Sequence, residues 1–406
     1  VTDQPHLKRG LNLTLLTLYG LGTTIGAGIY VLIGKVAGSA GLYAPLSFLL
    51  AAGLVAFSAF SFAELGSRLP RSAGEAVYVR EGFYSRVLAL CIGLLVILAG
   101  LVSAAAISRG FVGYFQQLVD LPAWFCIVII VCVLCAVAAW GITESVSLAA
   151  FITLVEVAGL VFVVWSGRDS FAAFPETWQT LPSATAGATW IGVFSGVVVA
   201  FYAFIGFEDM VNVAEEVKDV RRTLPRAIIL TLIATAALYF LVGLVAVLAV
   251  PVTELAESGA PLALIVERTG NASGKWISLI AVIAVLNGAF IQIIMASRVL
   301  YGLSEQGWLP ALFGKVHPRR RTPINATVTV SAVALVFALT LPLETLARVT
   351  SLITLAIFAT VNLALWRIKR REPAPAGAVI YPKWISLCGF LACSAVFLAE
   401  IVRLTV

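Results

Sequence analysis

Two short stretches carry groups able to hold a small charged solute, and both would do so with backbone more than with side chains. The first is Thr23-Thr24-Ile25-Gly26-Ala27-Gly28-Ile29-Tyr30, set inside an apolar run from Leu11 to Val36. The second is Ser195-Gly196 followed by Phe201-Tyr202-Ala203-Phe204-Ile205-Gly206-Phe207-Glu208-Asp209, again inside an apolar run. A helix in hydrocarbon cannot give up its internal hydrogen bonds, so backbone that unwinds there must face protein, ligand or water. Glycine leaves amides accessible and lets the chain turn where other residues are strained. Amides freed after Gly26 suit a carboxylate, and carbonyls freed around Ile25 and residues 202–205 suit an ammonium. A zwitterion such as an amino acid satisfies both ends at once. Taken alone, the first stretch reads equally well as close helix packing, because small residues also let two membrane helices touch.

Ionisable residues inside apolar runs form a second set, since each costs on the order of 3 kcal/mol at mid-membrane and is a functional candidate by default. Glu156 lies about a dozen residues into its run, near mid-depth at roughly 1.5 Å rise per residue. It is a candidate proton carrier with Ser297 and Asn287 as hydrogen-bond partners; the alternative is a hydrogen-bonded glutamate that only ties helices together. Arg109, near the end of its run, snorkels to the interface in preference to pairing with Glu156. Glu208 and Asp209 follow the second glycine-containing stretch and either pair with basic residues such as Arg80 or Lys218 at a gate or sit in a wet vestibule. Glu215 and Glu216 precede a basic cluster and read as a surface ion-pair network.

Hydrophobic residues make up 61% of the chain and charged residues 12%, with a mean hydropathy of +1.02. Soluble domains carry about 25% charge, so this is an integral, all-α membrane protein. About eleven spans are expected, near 11–36, 43–67, 87–115, 122–140, 145–166, 187–216, 224–250, 275–303, 324–341, 343–366 and 384–404. Residues 1–10 form a cytoplasmic N-terminus without the pattern of a cleavable signal. Basic residues concentrate on the cytoplasmic side of this arrangement, from Arg68, Arg71 and Arg80 through Arg319, Arg320 and Arg321 to Arg367, Lys369, Arg370 and Arg371. The net charge of +6 is therefore a topology signal in a cell (inner) membrane, not a nucleic-acid patch. Two sets of five spans, 11–166 and 187–366, each open on an interrupted helix, and 384–406 adds one more span. An odd number of spans inverts the second set, and matching broken helices in inverted halves point to a transporter binding site.

The residues at these breaks also carry a resemblance. The blocks are Thr24-Ile25-Gly26-Ala27-Gly28-Ile29-Tyr30, Glu64-Leu65-Gly66-Ser67-Arg68-Leu69-Pro70 with Ala76-Val77-Tyr78-Val79-Arg80-Glu81, Phe201 through Glu208 with Ala214-Glu215-Glu216-Val217-Lys218, and Ala296-Ser297-Arg298-Val299-Leu300-Tyr301-Gly302 through Pro310. In this order the chain resembles the amino acid–polyamine–organocation transporters, and among them the cationic amino-acid transporter type and its bacterial relatives. The resemblance implies a LeuT-like 5+5 inverted repeat with discontinuous helices 1 and 6. It places the substrate carboxylate on Thr24, Ile25, Gly26, Ala27 and Gly28, and the amino group on main-chain carbonyls of Phe201, Ala203 and Phe204 beside Gly206. An aromatic side chain would cover the substrate, with Phe201 first and Tyr202 next, and Glu208 would serve the gate. In proton-coupled relatives a lysine stands where this chain has Glu156, so that mechanism does not transfer unchanged.

Several function classes lose support. The only histidines, His6 and His317, lie outside the spans, and the six cysteines fall within apolar runs without metal-ligand partners, so no metal, cofactor or enzyme chemistry is implied. A channel would want rings of charge or carbonyls about one axis. The expectation is proton-coupled uptake of neutral or broad-range L-amino acids by alternating access. The alternatives are a cationic amino-acid or amine antiporter, or a non-transporting amino-acid sensor. The partners implied are the amino acid, protons and the lipid bilayer; the sequence leaves the oligomeric state open.

Overall fold

Asn12 starts the first helix, its Oδ1 accepting from Leu15 N at 2.9 Å and meeting one of the amides that a helix leaves open at its start. The computed structural model describes residues 10–71, 74–116, 118–140, 143–180, 187–270, 274–318, 320 and 322–405. The expected cytoplasmic N-terminus therefore lies, except for Gly10, outside the described residues. Helices follow one another as α1 (Leu13–Ala40), α2 (Ala44–Arg68), α3 (Gly74–Phe83), α4 (Arg86–Phe115), α5 (Ala123–Trp140), α6 (Thr143–Ser166), α7 (Phe174–Thr180) and α8 (Gly187–Ala203). They continue as α9 (Val220–Ala249), α10 (Val252–Glu257), α11 (Pro261–Arg268), α12 (Gly274–Glu305), α13 (Ile324–Thr340), α14 (Leu343–Arg371) and α15 (Lys383–Thr405).

Eight helical runs among the described residues are long and apolar enough to cross a membrane. Three shorter apolar helices, Leu13–Gly26, Ala123–Ala139 and Ile324–Thr340, fall below that length. The expectation of about eleven spans thus holds only when these are added. One of the three is short because α1 is broken at Gly26. The Gly28–Arg68 run also holds two passes, joined by a turn at Gly41 with φ 60°.

α1 sits at the centre, against α8, α9, α12 and α6, while α2 packs along α9 and α4 along α12. α15 lies outside this core on α14 and α2. At the end with the basic loops, the α14–α15 connection is strapped to α2. The fully buried Glu64 accepts from Arg68 Nη2 at 2.7 Å, Lys369 Nζ at 2.7 Å and Tyr381 N at 3.0 Å. Arg68 also donates to the carbonyls of Glu372 and Pro373, and Ser67 Oγ accepts from Val379 N at 2.7 Å. Every charge in this strap is partnered, which burial requires.

Candidate functional site

The backbone of α1 leaves helical geometry at Gly26, with φ 20° and ψ −129°. That of α8 stops at Ala203, turns through Gly206 at φ 126°, and resumes as a tighter helical segment, Phe207–Glu216. The two interruptions meet. A side chain on Gly206 would collide with the Thr23 carbonyl, and a Cβ on Gly28 would lie 2.9 Å from Ala203 Cα. Thr23 and Thr24 return their hydroxyls to Gly20 O at 2.8 Å each, so their side chains satisfy α1 just before it breaks. Ile25 and Phe204 are completely buried beside them, and Ala27 lies in the second half of α1.

Tyr239 on α9 joins the two breaks and was not singled out from the sequence. Its hydroxyl lies 2.9 Å from Thr24 O, 2.9 Å from Ala203 O and 3.5 Å from Ile25 O. One hydroxyl has one proton to donate, so three carbonyls converge on a donor that can serve only one of them at a time. These include carbonyls expected to meet an ammonium. Phe201 O, by contrast, already accepts from Phe204 N at 3.0 Å within the turn. A tyrosine in a hydrophobic helix carries no sequence pattern that would reveal this role.

Phe201 and Tyr202 divide two spaces. Above them, toward the end opposite the basic loops, they line a cavity of about 300 Å³ shared with α1, α4, α14 and α15. Below them, Ile205, Glu208 and Asp209 line a space of about 20 Å³ with Glu75, Ser103 and Gln292, enough for about one water. Glu208 does not pair with Arg80 or Lys218. Its Oε2 accepts from Gly206 N at 2.8 Å, closing on the amide that the turn exposes two residues before it. Asp209 accepts from Gln292 Nε2 at 2.8 Å. Glu75, overlooked in the sequence, faces the same space from α3, outside the spans. Burial, with the charge of Glu208 adding, pushes its carboxyl up to about 8. Among the described residues no group of three or more His, Cys, Asp or Glu is placed to hold a metal ion.

Glu156 is fully buried on α6, facing α1 and α12. Its Oε1 accepts from Asn287 Nδ2 at 2.9 Å, while its Oε2 and Asn287 Oδ1 are buried without a hydrogen-bond partner. Gly22 makes the approach possible, since a Cβ there would lie 3.0 Å from Asn287 Nδ2 and collide with Thr153 Oγ1. Tyr30 donates to the Glu156 carbonyl at 3.0 Å and so ties the second half of α1 to this helix. Ser297 is not part of the cluster. It lies ten residues beyond Asn287, about 15 Å along α12, and its hydroxyl donates to Ile294 O at 2.8 Å. Arg109 neither pairs with Glu156 nor only snorkels: its Nε donates to Ala338 O at 2.6 Å, satisfying a carbonyl at the end of α13. Glu216 pairs with Arg298 at 3.1 Å, as an ion-pair reading of that segment expects.

The family model described as amino acid permease matches residues 11–404. The chain belongs to the amino acid permease family. This permease is 29% identical to the branched-chain amino acid permease BcaP of Bacillus subtilis strain 168, over 92% of its own length and 83% of that protein's. It is 30% identical to the methylthioribose transporter of the same organism, over 90% and 82% of the two chains. With the vacuolar cationic amino acid transporter 4 of Arabidopsis thaliana it shares 30% identity over 91% of its length, and it spans 65% of that longer relative. A Na+-coupled sialic acid symporter in its substrate-bound outward-open state matches with a TM-score of 0.67 at 14% identity, covering 96% of this chain and 89% of that one. At that identity the likeness shows the fold, which is LeuT-like as expected. The family and these relatives are transporters, not enzymes.

Proposed function

We propose that the permease is a secondary active transporter that takes up neutral or broad-range L-amino acids by alternating access, with a proton as the coupling ion. The observation that carries this reading is the direct contact of two interrupted helices between two separate spaces, with carbonyls of both helices gathered at the Tyr239 hydroxyl. The substrate carboxylate would lie on the amides from Gly26 to Gly28, and its ammonium on the carbonyls gathered at Tyr239. Residues 11–166 and 187–366 are the two inverted halves in this reading. The basic loops face the cytoplasm of a cell membrane. Phe201 and Tyr202 close the upper side, and Ile205 with Glu208 the lower.

Neutral substrates fit better than cationic ones. A lysine or arginine side chain needs a carboxylate with room beside it, and the acidic space below the break holds about 20 Å³. Glu208 is engaged there with its own turn.

Proton coupling is assigned to Glu156. A buried carboxylate with one donor and one orphaned oxygen, beside an amide oxygen that also lacks a partner, is a poor end state. A proton on Oε2 supplies a donor beside Asn287, whose Oδ1 lacks one. Since Gly22 and Tyr30 of α1 pack on this helix, the proton's presence is read by the helix that holds the substrate. The test is uptake of radiolabelled L-leucine, L-alanine and L-arginine into proteoliposomes under an imposed pH gradient. Uptake of the neutral pair driven by an inward-directed proton gradient, acid outside, is expected, and Glu156→Gln should lose the gradient dependence while retaining exchange. Gradient dependence unchanged in Glu156→Gln removes the proton assignment; a sodium requirement in its place would make the orphaned oxygens a cation site. Absence of any uptake or exchange in wild type removes the transport reading.

A further inference from the structure

The cavity above Phe201 has a chemistry of its own. Its walls are mostly apolar, with Leu32 of α1, Leu352 of α14 and Val396 of α15 among them. Three charged side chains face it: Lys35, Arg348 and Glu400. Lys35 is engaged, donating to Ala256 O at 3.2 Å. Arg348, on α14, approaches Glu400 of α15 with its Nε, 3.4 Å from Oε1, and its side chain is 43% exposed. No hydrogen bond occupies its two terminal nitrogens among the described residues. A guanidinium held at Nε is oriented while its outer donors stay available, and such a fork matches a carboxylate. Two cations against one carboxylate leave the cavity net positive, unlike the central contact, which offers groups for both ends of a zwitterion. About 300 Å³ lies at the lower limit of small-molecule pockets.

We propose that this cavity is a second, outer binding site for a monocarboxylate with an aliphatic tail, with Arg348 taking the carboxylate and α15 supplying, through Glu400 and Val396, the residue that orients it and part of its wall. The site gathers the carboxylate end of an arriving amino acid before Phe201 and Tyr202 admit it. That step rests on the transport reading; the binding does not. It also gives α15, which lies outside the two five-helix sets, a part in recognition.

The probe is 4-methylpentanoate, which is leucine without its ammonium and so satisfies Arg348 but only half of the central contact. Binding to the purified full chain is followed by saturation-transfer NMR and calorimetry. Wild type should bind it. Arg348→Gln should weaken binding at least tenfold, Arg348→Lys by less, and Leu352→Trp should abolish it by filling the cavity, with each variant's melting temperature checked against wild type. Glu75→Gln, on α3 below the break and away from this cavity, should leave it unchanged. No binding to wild type, or equal binding to Arg348→Gln, overturns the proposal. Binding that depends on Arg348 in a protein that moves no amino acid would retain this site and remove the transport reading instead.

Discussion

Tyr239 shows how one hydroxyl can hold a binding site half finished. It touches carbonyls from both broken helices, Thr24 and Ile25 on one side and Ala203 on the other, with no charged residue near it in the sequence to mark it. Its ring packs on Phe204 at 5.0 Å and on Phe48 at 5.6 Å, so the ring is fixed and only the hydroxyl is in play. Tyr239→Phe keeps those ring contacts and removes the donor. Buried carbonyls left without a partner cost about 1–3 kcal/mol. An ammonium arriving at those carbonyls would recover part of that cost, so the variant should unfold at a lower temperature when empty and gain more from bound amino acid than wild type does. Thermal shift with and without saturating L-leucine measures both effects. Equal ligand-induced shifts in the two proteins would show that the carbonyls at Tyr239 do not receive the substrate. Glu156 teaches the complementary lesson. The sequence announced it as a charge at membrane depth and named Asn287 correctly, but it also named Ser297, because spacing along α12 says nothing about which turn lies opposite α6.

The broken helices were legible because hydrocarbon leaves backbone few options. A cluster of small residues inside a span has to be explained, and two such clusters at the heads of two five-span sets explain each other. What could not be read was how differently the two glycines work. Gly26 has φ 20° but room for a Cβ, which would make only ordinary contact with Gly288 Cα at 3.6 Å. Gly206 combines φ 126° with the Thr23 backbone against it. Alanine at Gly26 therefore brings backbone strain of roughly 1–3 kcal/mol and no collision, whereas alanine at Gly206 brings both and must push the helices apart. Gly26→Ala should retain measurable uptake, reduced on the order of tenfold, and Gly206→Ala should retain none while still reaching the membrane. Initial rates in proteoliposomes normalised to protein content decide it, and the reverse order would mean that the helix contact at Gly206 is not the substrate site. Helix length by itself gives eight runs where about eleven spans were expected, for a related reason. α5 and α13 offer 17-residue apolar stretches, and the break divides α1, so length alone undercounts passes that a hydropathy run joins.

Across the whole molecule the break lies between an upper cavity and a nearly closed lower space, and several contacts tie the lower end together. The Glu64 strap fixes the α14–α15 connection to α2, Arg367 and Arg371 of α14 donate to the Gly82 carbonyl at the end of α3, and Gly10 and Leu11 donate to the Glu216 carbonyl. Glu75 belongs to this closure. α3 presents it to the inner segment of the second broken helix, where Asn212 reaches it at 3.5 Å and accepts from Gly74 N at 3.3 Å. Motif reading passed over it because it stands in a polar, loop-like stretch, and only the fold turns that stretch inward, against Glu208 and Asp209. Its carboxyl, ordinarily near 4.5, is pushed up to about 8 by burial and then by Glu208. The folded protein therefore binds this proton more tightly than the unfolded chain, and between about pH 4.5 and 8 the unfolded chain has lost it while the folded one keeps it. In that window the contribution of Glu75 to stability falls as pH rises, the opposite of the usual salt-bridged carboxylate. The apparent melting temperature in detergent should decline from pH 5 to pH 8 by several degrees, since about 1 kcal/mol moves it by roughly 2–4 °C. Glu75→Gln, which stays neutral and keeps a hydrogen-bonding group toward Asn212, should flatten that decline and melt higher than wild type at pH 8. A wild-type decline that persists unchanged in Glu75→Gln would mean that the closure is loosened by another group, and that α3 shuts the lower space without sensing protons.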